Sequence, residues 1–213
     1  MKKVLVTGAS GAIGVQVIKY LLSEGKYEIT ALDLRVKNSQ KRLKKYRRRI
    51  NLIYGDINDS VLMDALIKGH DCVIHLAGVI PPLADIKKNL SEMVDFNGTK
   101  NIINAINIYN PNCFLIYASS TSVYGNVENA NIKTKGVLDE FDYYSNTKLK
   151  VEELITKNLK NYTIIRLPLV LCNPKLGSFM YHVPRNMVVE TITDHDAGYL
   201  FAKAAEAEDK LKK

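Results

Sequence analysis

A tyrosine and a lysine four residues apart, Tyr144 and Lys148, are the side chains in this sequence best spaced for proton chemistry. On a helix that spacing puts both on one face. A phenol has a reference pKa near ~10, so a base working near neutrality needs a shift of roughly three units, about 4 kcal/mol. A neighbouring ammonium supplies part of it by favouring the phenolate. Tyr143 and Tyr124 show that tyrosines are common in this stretch, and only Tyr144 of the three has a lysine at the right offset. Spacing alone leaves the pair open to an incidental reading.

A second constellation binds anions. The run Thr7-Gly8-Ala9-Ser10-Gly11-Ala12-Ile13-Gly14 follows an apolar strand pattern and leads directly into a helical one. Glycines there allow a tight turn, close backbone approach to a pyrophosphate, and close packing of helix on strand. The helix start offers unpaired N–H groups and a positive dipole end to the same anion. Asp33 ends the next strand pattern nineteen residues after Gly14, where a carboxylate can accept a ribose hydroxyl.

The elements that must position these residues alternate. Val4–Thr7, Ile29–Asp33, Asn51–Tyr54, Cys72–His75, Phe114–Ala118 and Thr163–Leu167 are short apolar, largely β-branched runs that predict strands. Ile13–Ser23, Val61–Lys68, Ser91–Tyr109 and Tyr144–Asn158 carry apolar residues at helical spacing, and Thr193–Lys213 predicts a final helix. Strand–helix repetition predicts a parallel sheet covered on both faces, the doubly wound α/β Rossmann fold. Residues 1–168 are expected to form the dinucleotide-binding domain with the catalytic residues. Residues 169–213 are expected to form a short, reduced C-terminal substrate-binding region with a closing helix.

The glycine spacing G-x-x-G-x-x-G resembles the short-chain dehydrogenase/reductase family, in its extended branch of NAD-dependent epimerases and dehydratases. Further matches follow in the family's order. They are Gly55-Asp56-Ile57 after the third strand, His75-Leu76-Ala77-Gly78 after the fourth, Ser119-Ser120-Thr121-Ser122-Val123-Tyr124-Gly125 at the fifth, and Tyr144-Ser145-Asn146-Thr147-Lys148. The resemblance implies an NAD site built from Gly8, Ser10, Gly11, Ala12, Ile13, Gly14, Asp33, Leu34, Arg35, Asp56, Ile57, Leu76, Ala77, Gly78, Tyr144, Lys148 and Pro168. It also implies a catalytic set of Ser120, Tyr144 and Lys148. Tyr144 then exchanges a proton with a substrate hydroxyl during hydride transfer, Ser120 steadies that oxygen, and Lys148 holds the nicotinamide ribose. Asp33 favours NAD over NADP, whose 2′-phosphate it would repel, with Arg35 placed to soften the repulsion.

Departures from the family narrow the expected activity. Members that dehydrate nucleotide sugars carry an Asp-Glu pair after the serine hydroxyl. Thr121 and Ser122 stand there and cannot exchange protons as carboxyls do, so simple 4,6-dehydration is not expected. The family's asparagine three residues before Gly98 is Asp95 here, and only 45 residues follow Pro168. Glu190–Ala197 resembles a family segment that normally comes later in the chain. The leading expectation is an NAD-dependent epimerase or related oxidoreductase acting on a nucleotide-linked sugar. The alternatives are an NAD(P)-dependent ketone or aldehyde reductase with a smaller substrate, and a dinucleotide-sensing binding protein.

Composition sets the remaining bounds. At 213 residues with 46% hydrophobic and 24% charged residues, the chain has ordinary globular composition. No apolar run reaches the roughly 18–20 residues of a membrane span, and the apolar start at Val4–Val6 is too short for a signal peptide, so a cytoplasmic protein without membrane partners is expected. Cys72, Cys113 and Cys172 are far apart, and His70, His75, His182 and His195 show no ligand spacing, so neither a disulfide nor a metal site is expected. His75 falls in a core strand and is expected to be a packed histidine. Nine of the +8 chain's Lys and Arg residues lie between Arg35 and Arg49 with no acid among them. With Tyr46 as the only interleaved aromatic, this run is expected to be a solvated helix and not a nucleic-acid site. A homodimer through the Tyr144 helix and the long helix before it is expected from the resemblance.

Overall fold

The computed structural model describes residues 1–125, 142–172 and 189–211. Strands β1 (Lys2–Thr7), β2 (Tyr27–Asp33), β3 (Asn51–Tyr54), β4 (Cys72–His75), β5 (Phe114–Ser120) and β6 (Tyr162–Leu167) form one parallel sheet in the order β3-β2-β1-β4-β5-β6. Every strand expected from the sequence is present, with ends within two residues. A second, two-stranded parallel sheet pairs β7 (Leu169–Leu171) with β8 (Thr191–Thr193).

The sheet is buried on both faces, which explains why its strands are nearly continuous apolar runs. In β1, Val4 and Val6 face one core and Leu5 the other, all fully buried. Each such side chain contributes roughly 1.5–3 kcal/mol by leaving water. The first core is covered by α1 (Ala12–Glu24) through Val17, Ile18 and Leu21, and by α8 (Asp194–Glu206) through Ala197 and Phe201. The second is covered by α3 (Ser60–Ile67), α6 (Gly98–Tyr109) and α7 (Tyr143–Asn158). Helices α1 and α8 approach closely: a Cβ on Gly198 would lie 2.3 Å from Gln16 Cβ. The closing helix therefore shares its core with the first βαβ unit.

Two elements differ from the sequence expectation. The helix expected over Ser91–Tyr109 is α-helical only from Gly98. It is preceded by short helices α4 (Leu83–Ile86) and α5 (Lys88–Ser91) and by a π-helical turn, Glu92–Asn97. In that turn Gly98 N–H bonds Met93 C=O, one residue beyond α-helical reach. The final helix does not run unbroken over Thr193–Lys213. Thr193 belongs to β8 and caps α8 by accepting Asp196 N–H at 3.0 Å. The helix then stops at Glu206, and a separate turn, α9 (Glu208–Leu211), follows. Lys212 and Lys213 lie outside the described residues. The basic run is a seven-residue helix, α2 (Lys37–Leu43), followed by a 3₁₀ turn at Lys44–Tyr46. Leu43 and Tyr46 anchor it in the core, while its lysines and arginines lie in solvent except Arg42, which is half-buried.

Among the described residues no helix is long and apolar enough to cross a membrane, and no cluster of His, Cys, Asp or Glu could hold a metal ion. Cys72 and Cys113 are buried free thiols and Cys172 is exposed. Burial pushes the Cys113 thiol up to about 12, which leaves it unreactive near neutral pH. His182 lies outside the described residues.

Candidate active site

The sheet order reverses between β1 and β4, and ligands of open α/β sheets sit at the carboxyl ends of strands at such a point. All the sequence-expected site residues fall at those ends or on the helix that covers them. Gly8 turns the chain out of β1 with φ +63°, and a Cβ there would lie 2.7 Å from Ala77 N in the turn after β4. The loop thus packs directly on Leu76 and Ala77. A Cβ on Gly14 would lie 2.5 Å from Gly8 O, so helix α1 can start close behind the strand only with glycine there.

Helix α1 begins without a side-chain cap and without an acid in its first turn. Gly11 N–H returns to Gly8 O at 2.9 Å and Val15 N–H to Gly11 O at 3.1 Å. Among the described residues, nothing accepts the N–H groups of Ala12, Ile13 or Gly14. Three uncommitted donors at a positive dipole end suit a diphosphate. Asp33 closes the loop from β2: Oδ2 accepts Ser10 N–H at 2.7 Å and Oδ1 accepts Leu34 N–H at 2.8 Å. Each carboxylate oxygen keeps capacity for a ribose hydroxyl. These residues fit a dinucleotide.

Leu34 and Arg35 lie exposed beside Asp33. The Arg35 guanidinium rests 5.7 Å from the ring centre of Tyr54, which pairs with Asp33 across β2 and β3. Asp56 is exposed and accepts from Asn58 N (2.9 Å) and Asn58 Nδ2 (3.0 Å). Ile57 is buried under Gly98, whose absent Cβ would lie 2.4 Å from Ile57 Cδ1. Pro168 separates β6 from β7.

The catalytic candidates come together where α7 packs on β5 and on the 3₁₀ turn Thr121–Tyr124. Asp142 caps α7 by accepting Ser145 N–H at 2.9 Å, so Tyr144 stands in the first turn and Lys148 one turn on. Lys148 is 6% exposed; its Nζ donates to Ala118 O at 3.2 Å and lies 5.7 Å from the Tyr144 ring centre. Burial works against the ammonium, but Tyr117, Asp95 and Tyr144 outweigh it and hold the Lys148 pKa above the usual lysine value. Ser120 Oγ accepts from Ser122 N (3.2 Å) and Ser122 Oγ (2.9 Å). With two bonds accepted and no acceptor for its own hydrogen among the described residues, it can donate to a substrate oxygen.

Sequence reading missed two supporting networks. Glu152 shares the face of Tyr144 and Lys148 at the same four-residue interval, which was the available signal. It is buried, accepts Arg166 Nε (3.0 Å) and Nη2 (2.6 Å), and accepts Ser119 Oγ at 2.5 Å. Arg166 in turn lies 4.7 Å from the Tyr124 ring centre. The second network centres on His75, which is fully buried as expected. Ala77 N–H donates to Thr7 Oγ1, which bonds His75 Nδ1 at 2.7 Å. His75 Nε2 bonds Thr99 Oγ1 at 2.9 Å, and Thr99 donates to Asp95 O. Thr99 spends its hydrogen on a carbonyl, so this chain of bonds assigns the proton to Nε2 of a neutral imidazole. Burial, reinforced by the Lys148 charge, pushes His75 down to about 3. It is a structural group.

The profile of the NAD dependent epimerase/dehydratase family matches residues 4–193, and the chain belongs to that family. It is similar to the dTDP-glucose 4,6-dehydratase of Mycolicibacterium smegmatis, 30% identical over 196 residues, covering 87% of this chain and 58% of the relative. It is also similar to the UDP-glucose 4-epimerase of Yersinia enterocolitica, 26% identical, covering 71% and 47%. This chain thus spans less than two thirds of the length of these relatives. The fold is that of the Thermus thermophilus UDP-glucose 4-epimerase in complex with NAD (20% identity, TM-score 0.79, 95% and 73% covered). It is equally that of the Bacillus cereus UDP-glucuronic acid 4-epimerase in complex with UDP-glucuronic acid and NAD (21% identity, TM-score 0.80, 99% and 75% covered).

Proposed function

We propose that this chain carries the cofactor site and catalytic residues of an NAD-dependent epimerase or related oxidoreductase acting on a nucleotide-linked sugar. The observation that carries the reading is the placement of Lys148, anchored to Ala118 O on β5 and facing the Tyr144 ring, two residues from Ser120 at the same strand end. Tyr144 takes a proton from a substrate hydroxyl and returns it, and Lys148 favours the phenolate. Ser120 donates its free hydrogen to the reacting oxygen. When bound, the nicotinamide supplies the hydride acceptor and donor. The N–H groups of Ala12 and Ile13 hold the diphosphate, Asp33 the adenosine ribose and Lys148 the nicotinamide ribose. Asp56, Ile57, Leu76, Ala77, Gly78 and Pro168 complete the walls.

Support for a redox or epimerase reaction over dehydration comes from the turn after Ser120. Thr121 and Ser122 offer hydroxyls where elimination of water needs an acid and a base, and Ser122 already spends its hydrogen on Ser120. A preference for NAD follows from Asp33, held in place by two backbone N–H groups and facing any 2′-phosphate with like charge. Incubating the protein with nucleotide-sugars in the presence of NAD, and with small ketones in the presence of NADH as hydride donor, with product analysis, tests the reading. Conversion of a nucleotide-sugar supports it, and conversion of small ketones alone replaces it with a reductase.

A further inference from the structure

Lys148 does not reach Tyr144 as an isolated cation. Its Nζ lies 3.2 Å from Asp95 Oδ1, and the two side chains are 7% and 1% exposed. Asp95 is fixed from its other side, where Oδ2 accepts Val79 N–H at 3.0 Å and Ser91 Oγ–H at 3.2 Å. The backbone passes directly over the pair at Gly78: a Cβ there would lie 2.7 Å from Asp95 Oδ1 and 3.3 Å from Lys148 Nζ. The π-helical turn Glu92–Asn97 carries Asp95 to this position. Every partner of this carboxylate is a donor, so an acceptor-only side chain fits and an amide would meet one of them with its own N–H.

We propose that Asp95 is a positioning residue that acts through Lys148: it fixes the ammonium beside Tyr144 and cancels part of its field, and so sets the pH at which Tyr144 releases its proton. The proposal rests on the reading of Tyr144 as the proton-transfer residue. A lone ammonium near a phenol favours the phenolate; an ammonium already paired with a buried carboxylate does so less. The other charged and titratable groups around the pair are Tyr117, which also faces the ammonium, and groups that hold partners of their own. On α7, Glu152 is bound by Arg166. On β4, His75 is neutral, and on β5 the buried Tyr117 ring centre lies 5.0 Å from Nζ. Towards the start of α7, Asp85 accepts Tyr144 N–H at 3.3 Å. Glu92 accepts the Tyr143 hydroxyl at 3.0 Å, and Lys88 lies 5.4 Å from the Tyr143 ring centre. Among the described residues, Asp95 is the only carboxylate ion-paired with Lys148.

The test reads Tyr144 directly. In the whole protein with isotope-labelled tyrosine rings, NMR follows each ring through a pH titration, and Tyr144→Phe assigns the Tyr144 signal by its loss. Asp95→Asn is expected to lower the Tyr144 midpoint by about one pH unit, a tenfold change in the ionisation constant. In a Lys148→Met background the buried Asp95 carboxyl, left without its cation, is expected to be neutral, so the same substitution is expected to have no effect. If Asp95→Asn does not fold, Asp95→Ser, uncharged and smaller, carries the same expectation. An unmoved midpoint, or an equal shift with and without Lys148, overturns the proposal. The readout needs no turnover. Loss of this coupling therefore leaves the role of Tyr144 in catalysis standing, and a catalytically dispensable Tyr144 would still report the coupling.

Discussion

The Asp33 carboxylate at the end of β2 accepts the backbone N–H of Ser10, 2.7 Å away in the glycine loop, and so locks the loop to the strand beside it. Its other oxygen holds Leu34 N–H at 2.8 Å. A carboxylate held twice cannot swing away from a 2′-phosphate, and Arg35 is drawn towards the Tyr54 ring. NAD is therefore expected to bind at least about tenfold more tightly than NADP, since repulsion of this kind costs a few kcal/mol. Fluorescence titration of the purified protein with both cofactors at one ionic strength measures the ratio. Tighter binding of NADP would remove Asp33 as the discriminating group.

Glu152 and Arg166 tie α7 to β6 with two charge-assisted hydrogen bonds, and Ser119 joins them from β5. Removing the buried carboxylate takes away Arg166's bidentate partner and the acceptor of Ser119. Glu152→Ala is expected to lower stability by about 3 kcal/mol. Urea denaturation at neutral pH checks this, and a loss below about 0.5 kcal/mol would mean that the network contributes specificity and not stability.

Acid stability depends on His75. Its folded pKa, about 3, lies below the unfolded value near ~6.5, so below pH ~6.5 the unfolded chain takes the proton first. Stability from this group is full above that pH and is lost as pH falls towards 3, at up to about 1.4 kcal/mol per unit. Between pH 7 and pH 5 the parent is expected to lose about 2 kcal/mol more than His75→Gln. Equal losses in the two proteins would show that His75 is protonated without penalty.

Much of this was legible because the signals are local. The glycine loop, the strand before it and Asp33 are separated by a few residues or by one helix, and their spacing states the geometry. The Tyr144–Lys148 relation is likewise one helical turn. The π turn was not legible, since Glu92–Asn97 continues the apolar spacing of α6 and nothing in residue type marks the extra residue per turn. Nor was the break at Ala207, which contains neither glycine nor proline. The partners of Lys148, Glu152 and His75 come from other strands and helices, so only the sheet order brings them together. Asp95 stood out in the sequence as a departure from the family. Its contact with Lys148, 53 residues away in the chain, required the fold.

The basic run from Arg35 to Arg49 presents its charges to solvent around a depression lined by Lys41, Lys44, Lys45, Arg47 and Arg48. As a solvated surface it should tolerate charge reversal. Lys44→Glu with Lys45→Glu is expected to leave NAD affinity and turnover within about twofold, surface changes of this kind being worth under ~0.5 kcal/mol. A large loss of either would assign the run to a ligand.

Turnover of a nucleotide-sugar by the NAD-loaded protein, compared between the parent and Tyr144→Phe, tests the central claim most directly. The substitution removes one oxygen from a ring whose neighbour Lys148 keeps its bond to Ala118. The rate is expected to fall at least about a hundredfold, the usual range for a lost acid–base group, while NAD affinity stays within a few-fold. Comparable rates in the two proteins would take Tyr144 out of the mechanism.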